Sequence, residues 1–219
     1  MTDWFPLWLS LRVAGLATLI AAMVGIALAY LLAKGRFPGR GLFEAIVTVP
    51  IVLPPTVLGY YLLTTLGTNS PIGRAWDDVF GGPLVFTPTA AVVAASVSAL
   101  PFVVRAARAA IEDVDPRLEA AMRVAGHREW RVAMIVTLPV ARRGLVAGVS
   151  LGFARALGDF GATVMVAGNI PGRTQTLPIA VFDAVQAGDD ATARNGSLLL
   201  AAIAVVVLLV VTQLSVRRS

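Results

Sequence analysis

The chain contains no cysteine, one histidine (His127) and one lysine (Lys34), and only 14% of its 219 residues are charged. Each scarcity closes off a class of function. Without thiols there is no disulfide, no thiolate nucleophile and no cysteine-ligated metal. His127 has no second histidine or cysteine with which to share an ion, so no metal is expected and the ring reads as solvated or interfacial. Lys34 is followed by Gly35 rather than Ser or Thr and lacks a glycine-rich lead, so there is no phosphate-binding loop for ATP. No nucleophile and base, and no carboxylate pair suited to catalysis, stand out in the apolar regions, so no enzyme is expected. Nor are there enough charges to clothe a soluble globule of this size.

What the chain has instead is apolar length: 57% hydrophobic residues and a mean hydropathy of +0.79. The fold class is therefore an all-α polytopic membrane protein, with about five runs near the ~20 residues a bilayer core requires. Span 1 covers 11–32, preceded by the interfacial aromatics Trp4, Phe5 and Trp8. The first charge, Asp3, is acidic and no small-residue cleavage site follows, so this segment is expected to remain attached. Span 2, over 42–66, has Pro50, Pro54 and Pro55 in its middle, so it must be bent or broken. Such a break either lines a cavity or serves packing alone. Residues 67–83 read as an outer loop, and span 3 as 84–104. Span 4 starts after Arg142 and Arg143 and reaches about Gly168, with an irregular second half. A polar outer segment, 169–195, holds a short amphipathic or re-entrant stretch at 177–185, too short to span, and span 5 covers 197–216. There is no internal repeat and no low-complexity segment.

The longest polar island is 118–139. Asp115 before Pro116 is a helix start, because the carboxylate accepts from exposed N–H groups and proline at the first position loses no bond. Leu118, Ala121, Met122 and Ala125 then form one apolar stripe, with Arg117, Glu119 and Arg123 pointing elsewhere, and Gly126 ends it. A second helix from Arg128 carries Trp130 and Met134 until Pro139, where a kink or stop is expected. This knob is either an amphipathic element lying on headgroups or a docking element for a partner.

Most of the 18 Lys and Arg residues fall in the 33–43 turn, the 105–143 loop and the C-terminus. The positive-inside rule places these in the cytoplasm and, with five spans, the N-terminus outside. The formal charge of +5 is thus an orientation signal; without interleaved aromatics it does not suggest nucleic acid. In the second half of span 4, Arg155 and Asp159 are four residues apart and can neutralise each other on one helical face. A lone charge at mid-bilayer costs about 2.5–3.5 kcal/mol, so the pair faces either a neighbouring helix as a brace or a water-filled path. Gly152, Gly158 and Gly161 allow close helix approach.

Glu119-Ala120-Ala121, Gly126 and Thr137-Leu138-Pro139 resemble the EAA loop of ABC importer permeases. The register departs by one: four residues separate the triplet from Gly126, which puts Ala120 where that family usually has glutamate. Residues 154–185, ARALGDFGATVMVAGNIPGRTQTLPIAVFDAV, resemble permeases for tetrahedral oxyanions. Residues 49–63, VPIVLPPTVLGYYLL, resemble the molybdate branch. The resemblance implies a single permease domain over 1–219 and a homodimer in the cytoplasmic membrane. It also implies two ATP-binding cassette subunits and an external molybdate-binding protein, with ATP and magnesium held by the partner rather than by this chain. Tungstate or sulfate and thiosulfate are the alternative substrates, and a non-transporting scaffold the alternative class. The ATPase-coupling loop would be Glu119, Ala120, Ala121, Gly126, Trp130, Leu138 and Pro139. Candidates for the pathway or gate are Pro54, Pro55, Thr56, Arg155, Gly158, Asp159, Gly161 and Thr163.

Overall fold

The structure, a computed structural model, describes residues 4–216; Asp3, Arg217 and Arg218, part of the orientation argument, lie outside the described residues. Every described element is helical. Four helices are long and apolar enough to cross a membrane: α1 (Phe5–Lys34), α5 (Pro88–Glu112), the continuous run Glu129–Leu157, and α11 (Asp190–Val216), of which Asp190–Leu209 is the candidate span. The pair α2 (Arg40–Val52) and α3 (Pro55–Leu66), bent by 114°, is a broken span or a re-entrant loop and brings the number of spans up to five when it is taken as one. The expectation of about five spans with a broken second one is therefore borne out. The break falls at Leu53 and Pro54, where both residues are extended and Pro55 opens the new helix.

α5 is the axle. Its inward positions are mostly alanine: Ala90, Ala91, Ala94, Ala95, Ala99 and Ala107 are fully buried. Against it α1 presents Ala14, Ala17, Ala21 and Gly25. α8 (Leu138–Leu157) presents Gly144, Gly148 and Gly152 at four-residue spacing, where an added Cβ would collide with Ala110, Ala106 and Val103. Small residues let these backbones approach closely where lipid supplies no hydrophobic drive for association.

Several boundaries differ from the sequence reading, each for a physical reason. α1 begins at Phe5, with Pro6 in its first turn, and takes in part of the stretch read as interfacial. α5 begins at Pro88 behind the Thr87 cap and continues past Pro101 to Glu112, so Arg105 and Arg108 are helical rather than loop residues. Arg108 is stabilised there by ion pairs with Glu112 (2.7 Å) and Glu44. The 67–83 loop contains a helix, α4 (Pro71–Phe80), capped by Ser70 accepting from the Gly73 N–H at 2.8 Å and closed by left-handed Gly81. Pro139 does not stop its helix. The segment α7 (Glu129–Val132) passes through a π-helical turn, Ala133–Thr137, directly into α8, and the Leu138 N–H reaches back to the Ala133 carbonyl. That one-residue slip ahead of Pro139 accommodates the missing N–H. Span 4 ends at Leu157 and resumes as α9 (Gly161–Ala167), so its irregular second half is a true break. The short stretch expected at 177–185 is helical, α10 (Leu177–Gln186).

Candidate functional site

Two regions concentrate polar chemistry. The first is the elbow built from α6 (Pro116–Val124) and the start of the Glu129–Leu157 run. α6 begins as expected, with Asp115 Oδ1 accepting from the Arg117 N–H at 2.8 Å. It ends with Gly126 at φ +83°, while the His127 N–H bonds the Met122 carbonyl and the Gly126 N–H bonds that of Arg123. This is a Schellman closure, for which glycine at the left-handed position costs least.

Glu119 points away from the apolar stripe, as expected, but inward: it is 3% exposed. Lys34 Nζ, from the end of α1, lies 2.9 Å from Oε1 and 3.0 Å from Oε2, and the Thr137 hydroxyl donates to Oε1 at 2.7 Å. One carboxylate thus ties three segments together. Arg123 adds a weaker contact at 3.6 Å and forms a two-pronged pair with Glu129 at 2.7 and 3.1 Å. Its hydrogen bonds to Glu129 hold the Arg123 guanidinium above its usual pKa, so it stays charged.

The elbow's apolar side faces outward. Leu118, Val124, Trp130 and Met134 are exposed, with Arg131 stacked over Trp130 at 5.3 Å. Ala120, Ala121, Gly126 and Pro139 are also exposed, whereas Leu138 packs on the cluster of Leu32, Ile111 and Leu145. His127 is half-buried at the elbow. Among the described residues no group of three His, Asp or Glu side chains is placed to hold a metal ion.

The second region is a cleft of about 470 Å³ where the two helix breaks face each other. Of the pathway candidates, Pro55, Thr56, Arg155, Gly158, Asp159 and Gly161 all line it. Pro54 lies outside the lining on the exposed turn, and Thr163 is buried behind it. Arg155 Nη1 donates to Asp159 Oδ1 at 2.9 Å. The pair forms although Asp159 is not helical, because the break displaces it only just beyond the end of α8. Asp159 Oδ2 accepts from both the N–H (3.0 Å) and the hydroxyl (2.7 Å) of Thr163, holding the first turn of α9.

The glycines differ in purpose. At Gly161 a Cβ would sit 2.8 Å from Pro55 Cβ and 3.2 Å from the Thr56 nitrogen, and at Gly59 it would sit 2.6 Å from Met165 Cβ. These contacts seat α9 against α3. Gly158 has only its own Ala154 carbonyl nearby, at 3.5 Å, so the expected close helix approach is absent there.

Sequence reasoning named Lys34 and Thr137 but did not join them to Glu119, and it did not single out Phe102 and Phe160 in the cleft. A lone lysine among arginines was the available signal for the first. Phe160 stacks on Phe182 of α10 at 4.8 Å, a tertiary contact without local signature.

Residues 21–219 match the family described as "Binding-protein-dependent transport system inner membrane component". The molybdenum transport system permease protein ModB of Escherichia coli (strain K12) is 41% identical over 209 residues, covering 95% of this chain and 91% of that one. ModB of Haemophilus influenzae is 42% identical over 188 residues, 85% of this chain and 82% of that one. The sulfate transport system permease protein CysW of Synechocystis is 35% identical over 202 residues, 92% and 73%. Among solved structures, a chain of the MetNI methionine ABC transporter superposes with a TM-score of 0.74 at 20% identity, covering 98% of each chain. With a small-residue bundle, a twice-broken pair of spans and an outward-facing apolar elbow in place, this chain belongs to the family of inner membrane components of binding-protein-dependent transport systems.

Proposed function

We propose that this chain is the permease subunit of an importer that moves molybdate across the cytoplasmic membrane. It works as a homodimer, with an ATP-hydrolysing subunit docked on each elbow and an external binding protein delivering the anion. ATP and magnesium belong to the partner. The end that bears Lys34, Arg108 and the elbow faces the cytoplasm, together with the C-terminus, and the N-terminus lies outside.

The observation that carries this reading is the cleft, where the broken halves of two crossings meet around one arginine. Breaks of this kind within spanning helices are tolerated where they face protein or a water-filled cavity. The elbow supports the coupling role: an exposed Trp130, Met134 and Leu118 stand beside a rigid tie to α1. In alternating access, closure of the ATPase dimer pushes the elbow, and the Glu129–Leu157 run transmits the push towards the breaks. Substrate identity rests on the molybdenum relatives, and selectivity belongs mainly to the external protein, since a deep trap in the permease would slow release.

The test is reconstitution into vesicles with the ATPase and the binding protein. ATP-dependent uptake of labelled molybdate is expected, with tungstate competing well and sulfate poorly. Sulfate competing on equal terms would move the reading to the second substrate class, which the similarity to CysW favours. No ATP-dependent uptake would leave a scaffold. Trp130→Ala should abolish capture of the ATPase in detergent pull-downs, because that side chain is 60% exposed and contributes little to this chain's own packing.

A further inference from the structure

Arg155 is the one cationic group among the residues lining the cleft. It and Asp159 are unequally tied. Asp159 has a side chain only 1% exposed and keeps two bonds from Thr163 whether or not Arg155 is present. Arg155 is 24% exposed at its side chain and donates one hydrogen bond, from Nη1, among the described contacts. A guanidinium carries five N–H donors in a planar fork, so Arg155 has donors to spare in a cleft whose other polar side chains are Thr56 and Asp159.

We infer that Arg155 is a substrate-contacting residue, and that a tetrahedral oxyanion in the cleft takes its guanidinium from Asp159. Asp159, anchored by Thr163, stays behind and reclaims the arginine as the anion leaves. The inference rests on the importer reading, which supplies the anion, and adds opposite duties for the two partners. The fork of Arg155 matches two oxygens of the anion, and between largely apolar walls such a contact is strong. On its own it would hold the anion too long. A fixed carboxylate a few ångströms away raises the energy of the bound state by like-charge repulsion, and competes for the same donors. The pair therefore grants brief binding rather than storage. A brace between α8 and α9 would use the same ion pair but would make nothing depend on the anion.

The test uses the full permease–ATPase complex in lipid nanodiscs, without ATP or binding protein, and measures equilibrium retention of labelled molybdate with sulfate as competitor. Asp159→Asn should retain the anion about tenfold more tightly than the unaltered complex. Arg155→Gln, and Arg155→Gln combined with Asp159→Asn, should retain none, and Arg155→Lys should fall between. In vesicles supplied with ATP and binding protein, Asp159→Asn should lower maximal uptake while the complex stays assembled. Thr163→Val keeps both charges and the volume but frees one bond of Asp159, which can then follow the arginine. It should lower retention, and it serves if the charge variants fail to assemble. Equal retention by all forms, with only thermal stability falling, would overturn the inference and leave a brace. Failure of the unaltered complex to import molybdate would sink the importer reading instead. Retention requires neither ATP nor the binding protein, so the two failures are read separately.

Discussion

Glu119 and Asp159 are near twins in chemistry. Each is a buried carboxylate closely paired with one cation and accepting from one threonine hydroxyl: Lys34 and Thr137 at the elbow, where Arg123 adds a longer contact, and Arg155 and Thr163 in the cleft. They differ in what they connect. The elbow set draws on residues 85 and 18 positions away and forms only when α1, α6 and the π-helical turn have come together. In the cleft, both partners lie four residues from the carboxylate, one on either side of a single helix break. Similar groups thus make a weld in one place and a local clasp in the other. The cations are about equally exposed, 22% for Lys34 and 24% for Arg155, so sequence separation is what decides which.

The largest effect should come from halving the weld. Lys34→Met leaves a buried carboxylate with only Thr137 and a distant Arg123, and should cost about 3–5 kcal/mol of stability. The measurements are the detergent melting temperature and protease cutting at the elbow. Combining it with Glu119→Leu should recover most of that loss. If the single change is silent, the elbow is no weld.

Next in size is a steric contrast beside the clasp. Gly161→Ala forces a Cβ into Pro55 and should cost about 1–3 kcal/mol, whereas Gly158→Ala, in open space, should stay within about 0.5 kcal/mol. Equal melting temperatures for the two would mean that α9 is not seated on α3. Below the Gly161 effect, Arg155→Gln should lower stability by about 1 kcal/mol, because the Gln amide can still donate to Asp159 and Asp159 has two Thr163 bonds where Glu119 has one from Thr137. A loss as large as that of Lys34→Met would erase the distinction between weld and clasp.

The smallest effect is a solvent-exposed control. Bonds from Thr192 hold the Asp189 carboxylate below its usual pKa. Its contribution is therefore present above the ordinary carboxylate pKa and lost as pH falls through the lowered one. Amide-exchange protection in the first turn of α11 should fade only in that acid window.

Local signals made much of this legible. Asp115–Pro116 and Gly126 bound α6 because caps are chemistry within a few residues, and three prolines between 50 and 55 announce a broken span for the same reason. Arg155 and Asp159 meet because their four-residue spacing encodes the contact, and six of the eight pathway candidates line one cleft. Other features had local signals that composition obscured: Ser70, Pro71 and Gly81 punctuate α4 within a stretch otherwise rich in loop residues. Pro139 misled because a one-residue slip upstream is invisible in the pattern of side chains. The Lys34–Glu119 pair was out of reach altogether, since no periodicity relates residues at the ends of different spans.

The alanine face of α5 has a mechanical corollary. Helices meshed through methyl groups and bare backbone, as α1 and α8 are on α5, have no slack in which to slide, so these three shift together or not at all. Displacement is left to the short leaves beyond the interruptions, α3 and α9, which lean on each other through Gly59 and Gly161. In the importer proposed above, a shutter of two leaves hung on an unyielding frame would need little travel to admit an ion.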